Sequence, residues 1–427
     1  MRLLDIEKKG KFSNNHIKLK RHFSCVNALS ITNGDGQFLA SGGDVLVSDL
    51  YDPEFKIKET YLGHQNNIFS LSFSLDNKLL FSAGLDSLTY LHDRTTGVST
   101  EYRGHDGPVY CVQSSIHDLN IFYTTSEDGA VYVRDTRTDK PVSIIDYDVP
   151  IHCIREHPFK NNALVISGKS GHLEMLDFRT LNQTPHPILK YSTSFKDCSS
   201  NRSILPTVGN VHFTKDGSRF MTTNMSALPM IYDTYESHPL YCCYHKNYQN
   251  VCTMKHHCFG GQNDEFIIAG SDDYNVYVWK TPNTDSLVTN KQYFIKSEIE
   301  DSTNWVPLRV HDKVDQVLRE NQSHPNTTIY HPVFPWILTS GVEKTIGIYS
   351  PLPIPTTLPP VSKVNQDARR DLVRLIRARP IFLAYLMARD GPDDSLDEDP
   401  RTLALFDILN EDESDYQGYN HEDDEEE

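Results

Sequence analysis

The chain has 427 residues, with 41 Lys plus Arg against 58 Asp plus Glu and a net charge of −17, a balance that argues against a duplex nucleic-acid binder working by phosphate neutralisation. Ten of the acids fall in residues 411–427, so the body carries only −7. A hydrophobic content of 38% with 10% aromatics supports a packed core rather than a disordered chain.

No stretch approaches the ~18 apolar residues of a membrane span. The opening MRLLDIEKKGKF sets charges on both sides of a very short apolar run, which does not read as a signal peptide. Eight cysteines without a C-x-x-C pair read as reduced thiols, as expected of a soluble nuclear or cytoplasmic protein.

In chain order, residues 1–21 end in the alternation His16-Ile17-Lys18-Leu19-Lys20, which predicts a strand. One pattern then recurs, an apolar opening residue followed by a small one. The copies start at Val26, Ile68, Val109, Ile151, Val208 and Val251, with a worn seventh at Pro325. The intervals are 42, 41, 42, 57, 43 and 74 residues. Four of them fit the ~40–45 residues of a four-stranded propeller blade. The two long ones hold polar insertions near 181–203 and 281–322, which are expected on loops between strands. Small residues at Ala28, Ser70, Cys111, Cys153, Asn210, Thr253 and Thr327 are expected on the innermost strands, where blades crowd the central channel.

Other landmarks keep the same phase. A His stands four residues before the opening residue at His22, His64 and His105, preceded by Gly at Gly63 and Gly104. A turn acid follows at Asp44, Asp86, Asp128, Asp273 and Glu343. Six residues after four of these acids come His92, Arg134, Trp279 and Tyr349, and an Asp ends many third strands. These are the Gly-His and Trp-Asp landmarks of WD40 repeats, which makes the expected fold class all-β, a seven-bladed WD40 propeller over 22–350 closed by residues 1–21. In such blades His, hydroxyl and turn acid satisfy one another, predicting the networks His64–Ser82–Asp86 and His105–Thr124–Asp128.

Beyond the repeats, Pro351–Val361 reads as a proline-rich linker within 351–362, followed by short helices over 363–410 at Asp367–Ala378 and Pro400–Leu409. Residues 411–427 read as a disordered acidic tail.

No P-loop, G-x-S-x-G, H-E-x-x-H or dinucleotide turn is present, so neither an enzyme nor a cofactor nor a small-molecule substrate is expected. Cys242, Cys243, His245, Cys252, His256, His257 and Cys258 suggest zinc. Along a strand, however, Cys252, His256 and Cys258 spread over ~20 Å, so no metal is expected. The sharper constellation is Asp135 with Arg137 and Asp177 with Arg179, each an x-Asp-x-Arg at the end of a third strand. There a guanidinium can leave the propeller face to bind a partner, or pair with a neighbouring acid on a solvated rim.

This x-Asp-x-Arg is the second half of the Trp-Asp-x-Arg signature of WD40 subunits that dock on cullin-4 ubiquitin ligases. Val26-Asn27-Ala28 with Leu39–Asp44, Cys252–Lys255 with Gly270–Trp279, Ser340–Pro351, and Glu398–Arg401 with Leu405–Asp407 also resemble the substrate receptors of that family. Arg134 and Leu176 stand where the family has Trp. The resemblance implies a non-catalytic substrate receptor whose partners are the ligase adaptor, the cullin-4 scaffold and a protein substrate, with Asp135, Arg137, Asp177 and Arg179 docking the adaptor. A WD40 scaffold of chromatin or RNA-processing machinery without a ligase is the rival reading.

Overall fold

The computed structural model describes residues 11–180, 187–198, 202–283, 287–296 and 304–358. The helices expected over 363–410 and the acidic tail 411–427 lie outside them.

Each regular repeat is an antiparallel meander, because alternating apolar residues end at tight turns that reverse the chain. The second runs Ile68–Phe73, Leu79–Gly84, Thr89–Asp93 and Ser99–Tyr102. The third runs Val109–Ser114, Ile121–Ser126, Ala130–Asp135 and Ser143–Asp146. The sheets are an all-β propeller, but the expectation of seven like blades is corrected. Among the described residues six sheets are four-stranded blades, and the repeat at Val208 instead belongs to a sheet of eight.

The two insertions cause this difference, and they are not loops. Trp305–His311 pairs in parallel with the outer strand Pro239–Cys243, through Cys242↔Val310 and Cys243↔His311. Val288–Lys296 pairs antiparallel with Trp305–His311, then Phe195–Asp197 and Arg202–Ile204 extend the sheet further. An open edge presents unpaired backbone groups, and this addition satisfies them. It also buries Phe195, Tyr293, Ile295, Leu308 and Val310, apolar side chains hidden inside segments that look polar on average.

A second correction concerns the repeat at Val251. Val251–Met254 is not a strand; the innermost strand is the short Cys258–Gly260, seven residues later. Thr253 therefore does not occupy the small-residue position.

In five first strands the register shifts immediately before the small residue, between Ile68 and Ser70, Val109 and Cys111, Ile151 and Cys153, Val208 and Asn210, and Pro325 and Thr327. A bulge at this point bends the strand where neighbouring blades converge. Neighbours then bond directly across the convergence, as when Ser70 Oγ donates to the Val112 carbonyl at 3.1 Å.

The ring closes with Asn15–Lys20 antiparallel to Thr345–Ser350, in the register Ile17↔Ile348 and Leu19↔Ile346. Lys18 Nζ meets Glu343 Oε2 at 2.7 Å across this seam. Thr327 Oγ1 donates to the Asn27 carbonyl at 2.6 Å, tying the last repeat to the first.

Candidate functional site

The residues expected to form blade networks are brought together. His64 Nδ1 lies 3.0 and 2.9 Å from the two Asp86 oxygens, and its Nε2 lies 2.8 Å from Ser82 Oγ. The chain of bonds continues from Ser82 Oγ to His92 Nε2 at 2.9 Å, and from His92 Nδ1 to Ser99 Oγ at 2.7 Å. Burial pushes the His92 imidazole down to about 3. It therefore stays neutral and serves as both donor and acceptor. In the third blade His105 Nδ1 lies 3.0 Å from Asp128 and Nε2 lies 2.8 Å from Thr124 Oγ1. Burial alone would raise the Asp86 and Asp128 carboxyls, but the hydrogen bonds from His64 and His105 hold both below the usual range.

The other repeats satisfy the same place by different chemistry. His22 bonds Ser41 Oγ at 2.7 Å, and its Nδ1 accepts from the Asp44 amide rather than from a carboxylate. Asn321, four residues before Pro325, accepts from Thr339 and from the Tyr349 hydroxyl. Tyr147, four residues before Ile151, donates to Glu174 at 2.7 Å. The four-residue offset was therefore the informative signal, not the His itself.

Where the ligase-docking family has Trp, Arg134 is 2% exposed. Its guanidinium carbon lies 4.9 Å from the Tyr132 ring centroid and its Nη2 bonds the Arg103 carbonyl at 2.7 Å. Planar, weakly hydrated guanidinium can stack where indole would. Leu176 simply fills the fourth blade's interior.

The two x-Asp-x-Arg pairs share one geometry. Arg137 donates from Nε to Asp135 Oδ1 at 2.9 Å and from Nη2 to Oδ2 at 2.6 Å. Arg179 donates from Nε to Asp177 Oδ1 at 3.0 Å and from Nη2 to Oδ2 at 2.6 Å. Each guanidinium thus folds back on its own acid, and these side-chain bonds first of all hold the Asp135 and Asp177 carboxyls at about 2. The arginine side chains remain 70% and 73% exposed. Such surface pairs stabilise a fold little. They do orient the plane of each fork and leave the Nη1 edge for a partner. Third strands end on the same face as the turns joining first and second strands, so this face also carries the exposed Leu119 and Phe159.

Of the thiols and imidazoles over 242–258, only Cys252 enters a group of three potential metal ligands among the described residues. Its companions are Asp272 and His324, with ligand atoms within 4.8 Å of one another. Lys255 already fills the cation's place. Its Nζ lies 2.7 Å from Asp272 Oδ1 and 2.8 Å from Thr253 Oγ1, and its side chain is fully buried. A metal ion would face this ammonium, so the donor set fits an internal ion pair. Sequence reasoning missed it because Asp273 looked like the turn acid, while the buried acid is Asp272.

The family model "WD domain, G-beta repeat" matches residues 55–93 and 97–135, each the outer strand of one blade followed by the first three strands of the next, so the chain carries WD40 repeats there. More particularly, it is 28% identical over 400 residues to the "DDB1- and CUL4-associated factor 5" of Mus musculus and, equally, of Homo sapiens. The match covers 91% of this chain and 39% of each factor, so the chain spans well under half the length of those relatives. Over 109 residues, 24% of the chain, it is also 30% identical to the "Chromatin assembly factor 1 subunit FAS2 homolog" of Oryza sativa subsp. japonica.

Proposed function

We propose that this protein is a non-catalytic substrate receptor of a cullin-4 RING ubiquitin ligase, in which Arg137 and Arg179 with Asp135 and Asp177 dock the adaptor while another surface holds the target protein. The observation that carries the reading is the likeness along 91% of the chain to the DDB1- and CUL4-associated factor 5 proteins. The matched posture of the two exposed guanidinium forks on adjacent blades supports it. A receptor of this kind transfers no ubiquitin itself; it supplies proximity between a target and the ligase. The role of the two buried networks, His64–Ser82–Asp86 and His105–Thr124–Asp128, is to hold the blades that carry these forks.

Affinity purification with mass spectrometry tests the proposal. The wild-type chain should recover the adaptor and cullin-4, and Arg137→Glu with Arg179→Glu should lose both while unfolding at the same temperature. Recovery of chromatin or RNA-processing subunits without adaptor or cullin would replace this reading with that of a scaffold.

A further inference from the structure

A cavity of about 440 Å³ lies at the convergence of the blades. Its wall is set by a simple register rule. Two residues beyond the small positions Ala28, Ser70, Cys111, Cys153, Asn210 and Thr327 come Ser30, Ser72, Gln113, Arg155, His212 and Ile329, and all six line the cavity. Five are neutral under ordinary conditions, since burial first, and then the Arg155 charge, push the His212 imidazole down to about 4. Arg155 is the one full cation in this layer.

Arg155 has no carboxylate partner among the described residues. Its Nη1 donates to the Ile154 carbonyl at 2.9 Å and to Cys111 Sγ at 3.1 Å. Lys215 stands at the mouth, its Nζ held by the carbonyls of Gly261 at 2.7 Å and Gln262 at 3.2 Å, again without a carboxylate. Asp264 is the one acid among the described lining residues, and its Oδ2 is turned to the Lys215 amide at 2.6 Å. His212 Nδ1 is buried without a hydrogen-bond partner. A charge withdrawn from water is costly unless paired, and this cavity offers uncompensated positive charge together with spare donors.

We propose that the axial cavity binds a small oxyanion, a carboxylate or phosphate group, held by Arg155 with Lys215 guarding the mouth. A guanidinium fork suits the bidentate geometry of such groups, and Ser30 and the second amide hydrogen of Gln113 add neutral donors at the same level. The mouth residues Asn33, Leu75, Ile116 and Lys215 lie in or beside turns between first and second strands, so the cavity opens on the face that carries Arg137 and Arg179. An anionic side chain of a bound protein segment and a free phosphate would present the same chemistry. The one internal competitor is Cys111. The Cys153 hydrogen bond and the Arg155 charge draw its thiol down against burial, so a thiolate is the alternative counter-ion.

The test uses the full chain in phosphate-free buffer at fixed ionic strength, with inorganic phosphate as probe, followed by ³¹P line broadening and thermal shift. Phosphate should broaden and stabilise the wild type, and Arg155→Gln should weaken binding about tenfold or more, the loss expected for a charge-assisted hydrogen bond. Should Arg155→Gln fail to fold, the exposed-rim variant Lys215→Gln should still weaken phosphate while leaving the melting temperature unchanged. A phosphoserine peptide that binds more tightly than inorganic phosphate identifies a protein-borne group, and equal or weaker binding identifies a free ion; both support the site. Absence of a phosphate effect in the wild type, or an effect untouched by either variant, overturns it. The inference stands apart from ligase docking, because Arg137→Glu with Arg179→Glu should retain phosphate binding.

Discussion

The third and sixth repeats meet one structural demand with opposite electrostatics. Both must cap the top of a blade, where first strand, turn and third strand meet. The third uses an imidazole between Thr124 and Asp128, with the acid partly reached by water. The sixth uses Lys255 on Asp272, with side chains 0% and 5% exposed. Burial alone would push the Asp272 carboxyl up; the Lys255 ammonium, followed by His324, reverses this and holds it below its usual value. A hydrogen-bond network whose acid is partly wetted strands less when one member is lost than a fully buried ion pair does. The sixth repeat should therefore be the more brittle of the two.

Lys255→Met gives the largest expected loss. It leaves a buried carboxylate facing Cys252 and His324, a change that costs about 3–5 kcal/mol when one partner of a buried pair is removed. Lys255→Met with Asp272→Asn should recover much of that in urea unfolding. A double variant as unstable as the single one would mean that the pair's charge is not what matters.

Asp128→Ala comes next, removing the acceptor of His105 and the anchor of two backbone amides at ~1–3 kcal/mol for each buried group left unpaired. Asp273→Ala should do less. Asp273 meets Tyr277 and Asn275, which are not part of a histidine network. Equal shifts in melting temperature would contradict the assignment of Asp272 as the structural acid.

His324 sharpens the contrast through pH. Burial, then the Lys255 charge, lower its pKa from 6.5 to about 4. Between those values the unfolded chain binds more protons than the folded one, so stability falls as pH drops from about 6.5 to about 4. His324→Gln should remove up to about 3 kcal/mol of that fall, seen as a flatter acid limb than the wild type's. Curves that stay parallel would mean that His324 is protonated in the fold.

Arg137→Glu with Arg179→Glu has the smallest expected effect on folding, because both side chains are mostly in solvent. Its effect belongs to partner recovery alone.

The regular repeats were legible because each carries its own landmarks within about forty residues. His64, Ser82 and Asp86 lie close enough in sequence for a fixed offset to identify them. The eight-stranded sheet was not legible. Cys242 finds Val310 across an entire intervening blade, and no local pattern announces a strand that leaves its own repeat to join the previous one. Val251–Met254 misled for a related reason. It imitates the opening of a strand, but Asp272 accepts from the Val251 and Cys252 amides and diverts that backbone from pairing. Arg137 and Arg179 were placed at strand ends by their spacing. Their return onto Asp135 and Asp177 is a matter of rotamers, which spacing does not encode.

Closure of the ring by Asn15–Lys20 has a consequence for biosynthesis. Lys18 and Glu343 are 325 residues apart, so Asn15–Lys20 leaves the ribosome long before its partner strand Thr345–Ser350. At about 5–20 residues per second, the nascent chain carries an unpaired strand for tens of seconds. Through that interval Ile17 and Leu19, both buried in the finished fold, stand in solvent beside an open hydrogen-bonding edge. The alternating His16, Lys18 and Lys20 keep that edge charged or polar on one side, which discourages pairing with another chain before the ring is complete.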